Sequence, residues 1–267
     1  MSSTVTLTPE SNGALQAKYS ICMLCSNDGQ TVEASVESTL GLSKYRKVEV
    51  VVADNMSNDG SREILHQFRD RRSITLIERK CSRGEGRQLA FEASKGNYVL
   101  SHMDCDDVFD AGGLDSLIDL YHAKYEGMLV MTQKKGSDEA SNITIAPRSL
   151  LDALGGWRDL NWGEDWDLWA RAGGLAKYAF APYPLDKPPH QSIKVRPGVY
   201  RGLRSSFNMR SRKYTDAIRT GRRMFKPGER ISIPQKVVYY LAKGGVAIRR
   251  NYLTPVPDPD FSEFTST

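Results

Sequence analysis

Short apolar runs alternate with helix-spaced apolar positions along the first two thirds of the chain. Tyr19–Ser26 (YSICMLCS) is apolar almost throughout and of strand length, and Asn27-Asp28-Gly29 then turns the chain. Thr31–Leu40 sets Val32, Val36 and Leu40 at helical spacing. Val48–Ala53 (VEVVVA) predicts a second buried strand, stopped by the polar turn Asp54–Gly60. Ile64, Leu65 and Phe68 share one face of a helix over Ser61–Phe68, and Ser73–Glu78 predicts a third strand. Arg83-Gly84-Glu85-Gly86-Arg87 reads as a loop leading into a helix through Ala93, and Gly96–Leu100 as a turn running into a fourth strand. Asn142–Pro147 adds a short strand and Ser149–Leu154 a short helix. Strands and helices in alternation predict an α/β fold, a single Rossmann-like domain with a mostly parallel central sheet covered by helices. In such sheets ligands sit beyond the carboxyl ends of the strands. Asp54, Asn55, Arg83, Arg87 and the acidic cluster after Leu100 should gather there.

That cluster, SHMDCDDVFD at 101–110, crowds Asp104, Asp106 and Asp107 into four positions. A strand that ends in carboxylates fixes hard oxygen donors on rigid backbone, which suits Mg²⁺ or Mn²⁺. Such a metal would hold a diphosphate. The plain alternative is a solvated acidic turn. The glycines of RGEGR do not have dinucleotide spacing and follow the third strand, not the first, which argues against NAD. Arg87, if it starts a helix facing the metal, is a candidate phosphate donor.

All four tryptophans fall in GGWRDLNWGEDWDLWAR at 155–171. On a helix starting near Gly163, Asp165, Leu168 and Trp169 share one face, and Trp166 neighbours Trp169. Two readings fit. Glu164 and Asp165 satisfy the start of a helix anchored by aromatic core residues, or a carboxylate walled by indoles is held as a general base.

These pieces together resemble a family 2 glycosyltransferase with the glycosyltransferase A fold. The resemblance runs from about Tyr19 to Tyr183, through Ser26-Asn27, VVADNMSNDGS, RGEGRQLA, KGNYVLSHMDCDD and GGWRDLNWGEDWDLWARAG. Leu24-Cys25-Ser26-Asn27 departs from the Pro-Thr-Tyr-Asn often found in the family. The resemblance implies that Ser26, Asp54, Asn55, Arg83, Arg87 and Asp104 bind the nucleotide sugar. Asp106 would ligate the metal with Asp104 beside it and Asp107 in support, and His190 would stand near the metal or diphosphate. Asp165 would deprotonate the acceptor hydroxyl, and Glu164 would orient it or the acceptor. The implied reaction is transfer of a sugar, with inversion, from a nucleoside-diphosphate sugar to a glycan or lipid-linked acceptor. A sugar nucleotidyltransferase would share sheet and metal, but needs a glycine- and arginine-rich loop where this chain has Ser26-Asn27-Asp28-Gly29.

Charge changes the picture at the C-terminal end. The chain has 267 residues and a net charge of +5, yet residues 194–250 hold 16 Lys/Arg against Asp216 and Glu229. That stretch is at +14 and the remainder at −9. The chain thus divides into three segments: 1–18, polar and frayed, without a signal-peptide pattern; 19–189, the nucleotide-sugar-binding domain; and 190–267, a basic, partly helical extension. Within the extension Pro234–Arg250 predicts a helix, weakened by Gly244-Gly245. Lys236, Lys243 and Arg250 form one stripe, and Val237, Leu241 and Ile248 lie together to one side of it. Either that apolar face docks on the domain, or the arm rests on an anionic membrane surface. No aromatic platform for nucleic acid is evident. No apolar run approaches the roughly 18 residues of a membrane span. Cys22 and Cys25 form C-x-x-C inside a strand, where they face opposite sides, so reduced cysteines in a cytoplasmic protein are expected.

Overall fold

The computed structural model describes residues 18–133, 140–182, 190–192, 203–222, 224–225 and 230–255, with backbone alone at 133, 140–142, 182, 190–192 and 203–209. The frayed N-terminal stretch expected before Lys18, and Tyr183 at the end of the resemblance, lie outside these residues. β1 (Lys18–Cys25) is buried along its length because strands pair with it on both sides. Helix α1 (Val32–Leu40) returns the chain to β2 (Lys47–Asp54), and α2 (Ser61–Asp70) to β3 (Thr75–Glu78). α3 (Arg83–Ala93) precedes β4 (Tyr98–Asp104) and the short β5 (Asp107–Phe109). Next come α4 (Ala111–Lys124), β6 (Leu129–Gln133), β7 (Ala140–Pro147), α5 (Arg148–Ala153), α6 (Glu164–Gly174), β8 (Tyr178–Pro182) and β9 (His190–Ser192). Two long helices, α7 (Leu203–Thr220) and α8 (Ile233–Arg249), form the arm.

Seven strands make one sheet in the order β3-β2-β1-β4-β7-β6-β8. Only β7 among them runs antiparallel to its neighbours. The mostly parallel sheet is therefore as expected, with β6 and β8 added beyond the elements read from the sequence. The period of two divides each strand between two cores. Ile21, Met23 and Cys25 join Val50, Val52 and Leu100 under α1, α2 and α4. Cys22 and Leu24 join Val51, Ala53 and Val99 under α3, α5 and α6. Cys22 and Cys25 thus do face opposite sides, and all four cysteines are free.

RGEGR is not a loop. It forms the first turns of α3, with Ser82 as N-cap accepting a hydrogen bond from Glu85 N at 3.1 Å. The two glycines are there for close packing rather than for a turn. A Cβ on Gly84 would lie 1.9 Å from Arg158 O, and Gly84 N donates to Leu160 O at 2.8 Å. The helix is thereby pressed onto the loop that leads into α6.

The glycines give a test of opposite sign. Gly84→Ala should cost about 3 kcal/mol or more, since backbone cannot yield as a side chain would. Gly244→Ala, in the middle of α8 with nothing within 4 Å of the new methyl, should stabilise by about 0.5–1 kcal/mol. Urea unfolding of both variants checks the pair.

Candidate active site

The acidic cluster reaches its position through an irregularity in β4. Ile21 pairs with Leu100, but Met23 pairs with Met103, so one extra residue is accommodated between them. Such a bulge shifts the strand register and re-aims the side chains beyond it. Met103 falls into the core with Leu100, and Asp104 comes level with Leu24, on the side of α3 and α6. The bulge contains His102, which is fully buried with φ of 60°. That is left-handed backbone on a non-glycine residue, a costly conformation that marks functional positions.

Arg87 from α3 is the hub. Its guanidinium is 5% exposed and lies 3.2 Å from Asp104 Oδ1, 3.4 Å from Glu164 Oε1 and 3.4 Å from Asp165 Oδ1. Arg83, more exposed, stands 3.5 Å from Asp104 Oδ2. Glu164 and Asp165 open α6 after Gly163, whose φ of 69° lets the chain turn in without a side-chain cap. Further along α6, buried Asp167 ties Arg158 and Arg171 together at 3.0 and 2.9 Å, which fixes the loop before the helix to the helix itself. Trp157 and Trp169 pack edge-on against His102, each with centroids 5.8 Å away, while Trp162 and Trp166 stay on the surface. Trp166 does neighbour Trp169, at 5.4 Å.

His102 was not legible as a site residue in the sequence. Its Nε2 is 2.6 Å from Asp165 Oδ1, and its Nδ1 is 2.7 Å from Thr144 Oγ1. Trp157 Nε1–H donates to the same Nε2 at 3.3 Å, so a neutral ring meets an indole donor, a carboxylate and a hydroxyl. Burial, foremost, pushes the His102 pKa down and favours this neutral form. Burial works against ionisation of Asp165, yet His102 and Arg87 outweigh it and hold that carboxyl well below the usual range. Glu164 goes the other way. Burial, then the charge of Asp165, raise it to about 7, with Arg87 only partly offsetting them. Burial also opposes the charge of Arg87, but Asp104, Asp165 and Glu164 together raise its pKa further.

The other strand ends form a second part of the site. Asp54 ends β2 buried, its two oxygens accepting from Ser57 N at 2.9 Å and Ser57 Oγ at 2.5 Å. Asn55 accepts from Cys81 N at 3.1 Å and reaches Ser26 Oγ at 3.4 Å, so β1, β2 and β3 end in one braced edge. Asn27 N to Ser57 Oγ and Asp28 N to Ser61 Oγ, 2.8 and 2.9 Å, zip the loops after β1 and β2 together. Asp106 is half-buried and Asp107 buried in β5. The backbone of His190 pairs with Phe109, two residues beyond Asp107; its side chain lies outside the described residues.

Two observations fit a charged ligand here. Arg87 Nη1 is buried without a hydrogen-bond partner, a donor suited to an anion. Asp104 at the end of β4, with Asp106 two residues on, offers carboxylate oxygens of the kind a divalent cation takes. Among the described residues no group of three or more His, Cys, Asp or Glu side chains is placed to hold a metal ion. A metal at Asp104 and Asp106 would therefore complete its shell with other donors, as Mg²⁺ does with phosphates and water.

Residues 20–176 match the family model described as glycosyl transferase family 2. A stretch of 89 residues is 32% identical to the UDP-Glc:alpha-D-GlcNAc-diphosphoundecaprenol beta-1,3-glucosyltransferase WfaP of Escherichia coli. That match spans 33% of this chain and 35% of the relative, about a third of each. A poly-beta-1,6-N-acetyl-D-glucosamine synthase of Staphylococcus epidermidis is 26% identical over 93 residues, 34% of this chain and 22% of that protein. Among solved structures, the mannosyltransferase PcManGT from Pyrobaculum calidifontis, in complex with GDP-Man and Mn²⁺, aligns with a TM-score of 0.56 and 18% identity, over 88% of this chain and 75% of that one. Glucosyl-3-phosphoglycerate synthase from Mycobacterium tuberculosis, with Mn²⁺ and UDP, aligns at 0.51 and 19%, over 73% and 78%. The fold is shared with these enzymes.

Glu164 yields a pH prediction. A carboxyl whose pKa rises on folding stabilises the native state below its unfolded pKa, and that stability is lost as pH climbs to the folded value. For Glu164 the window runs from its ordinary 4.5 to about 7. Glu164→Gln should flatten the fall in unfolding free energy across that window by on the order of 2–3 kcal/mol. Urea titrations at several pH values measure the slope; an unaltered slope assigns the titration to another group.

Proposed function

The chain belongs to glycosyl transferase family 2, and from its site we propose an inverting, metal-dependent sugar transfer from a nucleoside-diphosphate sugar to a hydroxyl of a glycan or lipid-linked acceptor. The observation that carries this reading is the meeting at Arg87 of Asp104, from a strand end, with Glu164 and Asp165, from a helix start. Donor-binding groups and a candidate base are thereby held within one buried network.

The braced edge of Ser26, Asp54 and Asn55 takes the nucleoside. Arg83 and Arg87 face the diphosphate, Arg87 with a donor to spare. Asp104 and Asp106, with His190 from the strand paired to β5, would hold Mg²⁺ or Mn²⁺, and such an ion would supply charge neutralisation of the diphosphate leaving group. Asp165 is kept ionised and has the more exposed side chain of the pair, 28% against 2% for Glu164. It is the carboxylate that an acceptor hydroxyl can reach, and it takes the proton as the new bond forms. Glu164, buried and titrating near neutrality, positions Arg87 and Asp165 from beneath. His102, its Nε2 2.6 Å from Asp165 Oδ1, fixes the carboxylate from one side and leaves the other oxygen to the acceptor. A single displacement by a base-activated hydroxyl inverts the anomeric centre. A lipid-linked acceptor is supported by WfaP, whose acceptor, by its name, is a sugar diphosphoundecaprenol.

Asp165→Asn should leave donor affinity near wild type and lower turnover by roughly 10²–10⁴. Asp106→Asn should abolish Mn²⁺-dependent donor binding in a protein that still folds. Nucleotide-sugar binding and hydrolysis, with and without Mn²⁺, read both; wild-type turnover of Asp165→Asn would remove the base assignment. His102→Ala should cut turnover about tenfold or more with little change in donor KM. His102→Gln, whose amide can donate to Asp165, should retain more turnover than the alanine variant.

A further inference from the structure

Among the described residues the arm packs through one of its two faces. Val238, Ala242 and Val246 of α8 are buried, and the first two pack with Tyr214 of α7. The opposite face carries Ile233, Val237, Tyr240, Leu241 and Ile248, exposed by 78, 52, 66, 61 and 85%. At 100° per residue these five fall within an arc of roughly 100°, with Gly244 at its middle. Lys236 and Lys243, both exposed, run along one border, and Arg250 continues the line. Tyr252 adds another exposed ring just past the helix. α8 contains no carboxylate. Ser232 and Gln235 close its start with a capping box, so the face is presented on a well-formed helix.

We propose that this face of α8 lies on an anionic lipid bilayer. The charge pattern selects that occupant. An apolar arc with lysines at its border and no acids sets aliphatic and tyrosine side chains at acyl-chain depth and ammonium groups at the headgroups. No described helix is long and apolar enough to cross a membrane, so the contact is with the surface. The arm also brings the bilayer near the site. Asp216 of α7 accepts from Asn161 N and Trp162 N at 2.8 and 2.9 Å, and Arg219 donates to Asp159 O at 2.6 Å. Arg158 donates to Thr254 O at 2.9 Å. The arm is thereby fastened to the loop that delivers Glu164 and Asp165. The docking stands without the sugar-transfer reading, and serves it if the acceptor is lipid-linked.

Co-sedimentation of the full chain with phosphatidylglycerol–phosphatidylcholine vesicles and with phosphatidylcholine vesicles tests the proposal. Binding should be strong on the anionic vesicles at low salt, weak on the neutral ones, and largely lost at about 0.5 M salt. Lys236→Glu with Lys243→Glu should weaken it by more than twentyfold, from about fivefold per cation removed. Leu241→Asp with Ile248→Asp should do so as well, and these exposed positions leave the fold and donor hydrolysis intact. No binding to anionic vesicles at low salt, or binding unaffected by either pair, overturns the proposal. So does a dimer in sedimentation velocity that the Leu241/Ile248 pair dissolves, which would assign the face to a second copy. Loss of donor hydrolysis in the wild type, with vesicle binding kept, would instead count against the sugar-transfer reading alone.

Discussion

One buried positive charge organises the catalytic end of this protein. Arg87 is almost removed from water, and a lone guanidinium there would be prohibitively costly. It is tolerable only because Asp104, Glu164 and Asp165 surround it. Those three arrive from β4 and α6, elements far apart in the chain, so the ion cluster also specifies how the two halves of the site meet. Neutralising Arg87 would leave three carboxylates facing one another in a poorly solvated space. The same cluster sorts its members: with the Arg87 and Arg83 charges nearby and its own partial exposure, Asp165 stays ionised, while the more buried Glu164 is forced toward neutrality. Two adjacent carboxyl groups thus acquire different protonation behaviour from burial and geometry alone.

The bulge at His102 is the second constraint, and it serves the first. In an uninterrupted strand the side chain after Leu100 by two would face the same core as Leu100. Here Met103 takes that role instead, and Asp104 is turned to Arg87. The left-handed conformation of His102 costs roughly 1–3 kcal/mol. The return is a buried ring placed between Thr144 and Asp165. Strain in the backbone is here converted into orientation of a carboxylate.

Much of this was legible in the sequence. Apolar runs located β1, β2 and β4 because parallel strands buried on both faces have no polar alternation to blur them; β3, at the sheet edge, has no fully buried residue. Clustered aspartates at a strand end, and Glu164-Asp165 at a helix start, stood out for the same reason: charge adjacent to a buried element must have a partner. RGEGR misled because glycine lowers helix propensity, whereas at Gly84 the close approach of Arg158 O decides the residue. His102 was hidden because a bulge changes register without changing composition; Ser101-His102 looks like ordinary strand until its partners are known. β6 and β8 were missed in a stretch whose apolar runs are short. On the arm, periodicity identified an apolar stripe at Val237, Leu241 and Ile248, but not whether it was covered. The neighbouring stripe of Val238, Ala242 and Val246 is the one that packs, and only the position of α7 reveals it.

The arm and the candidate base are mechanically continuous. Gly163 enters α6 in a left-handed conformation, with no side-chain cap to hold it. The arm holds that entry instead: Asp216 takes two backbone N–H groups of the preceding residues, and Arg222 reaches Gly163 O at 3.4 Å. A side chain at Gly163 would collide with Arg222, since its Cβ would stand 2.4 Å from Nη1. The first turn of α6 presents Glu164 and Asp165 with the positive end of the helix dipole behind them. α7 and Arg222 just beyond it are thus joined directly to the three residues that precede Glu164 and Asp165. Arg87 and His102 hold Asp165 from the other side, being anchored in α3 and β4. The carboxylate is held between two supports that belong to different parts of the chain, and its geometry depends on both being in place.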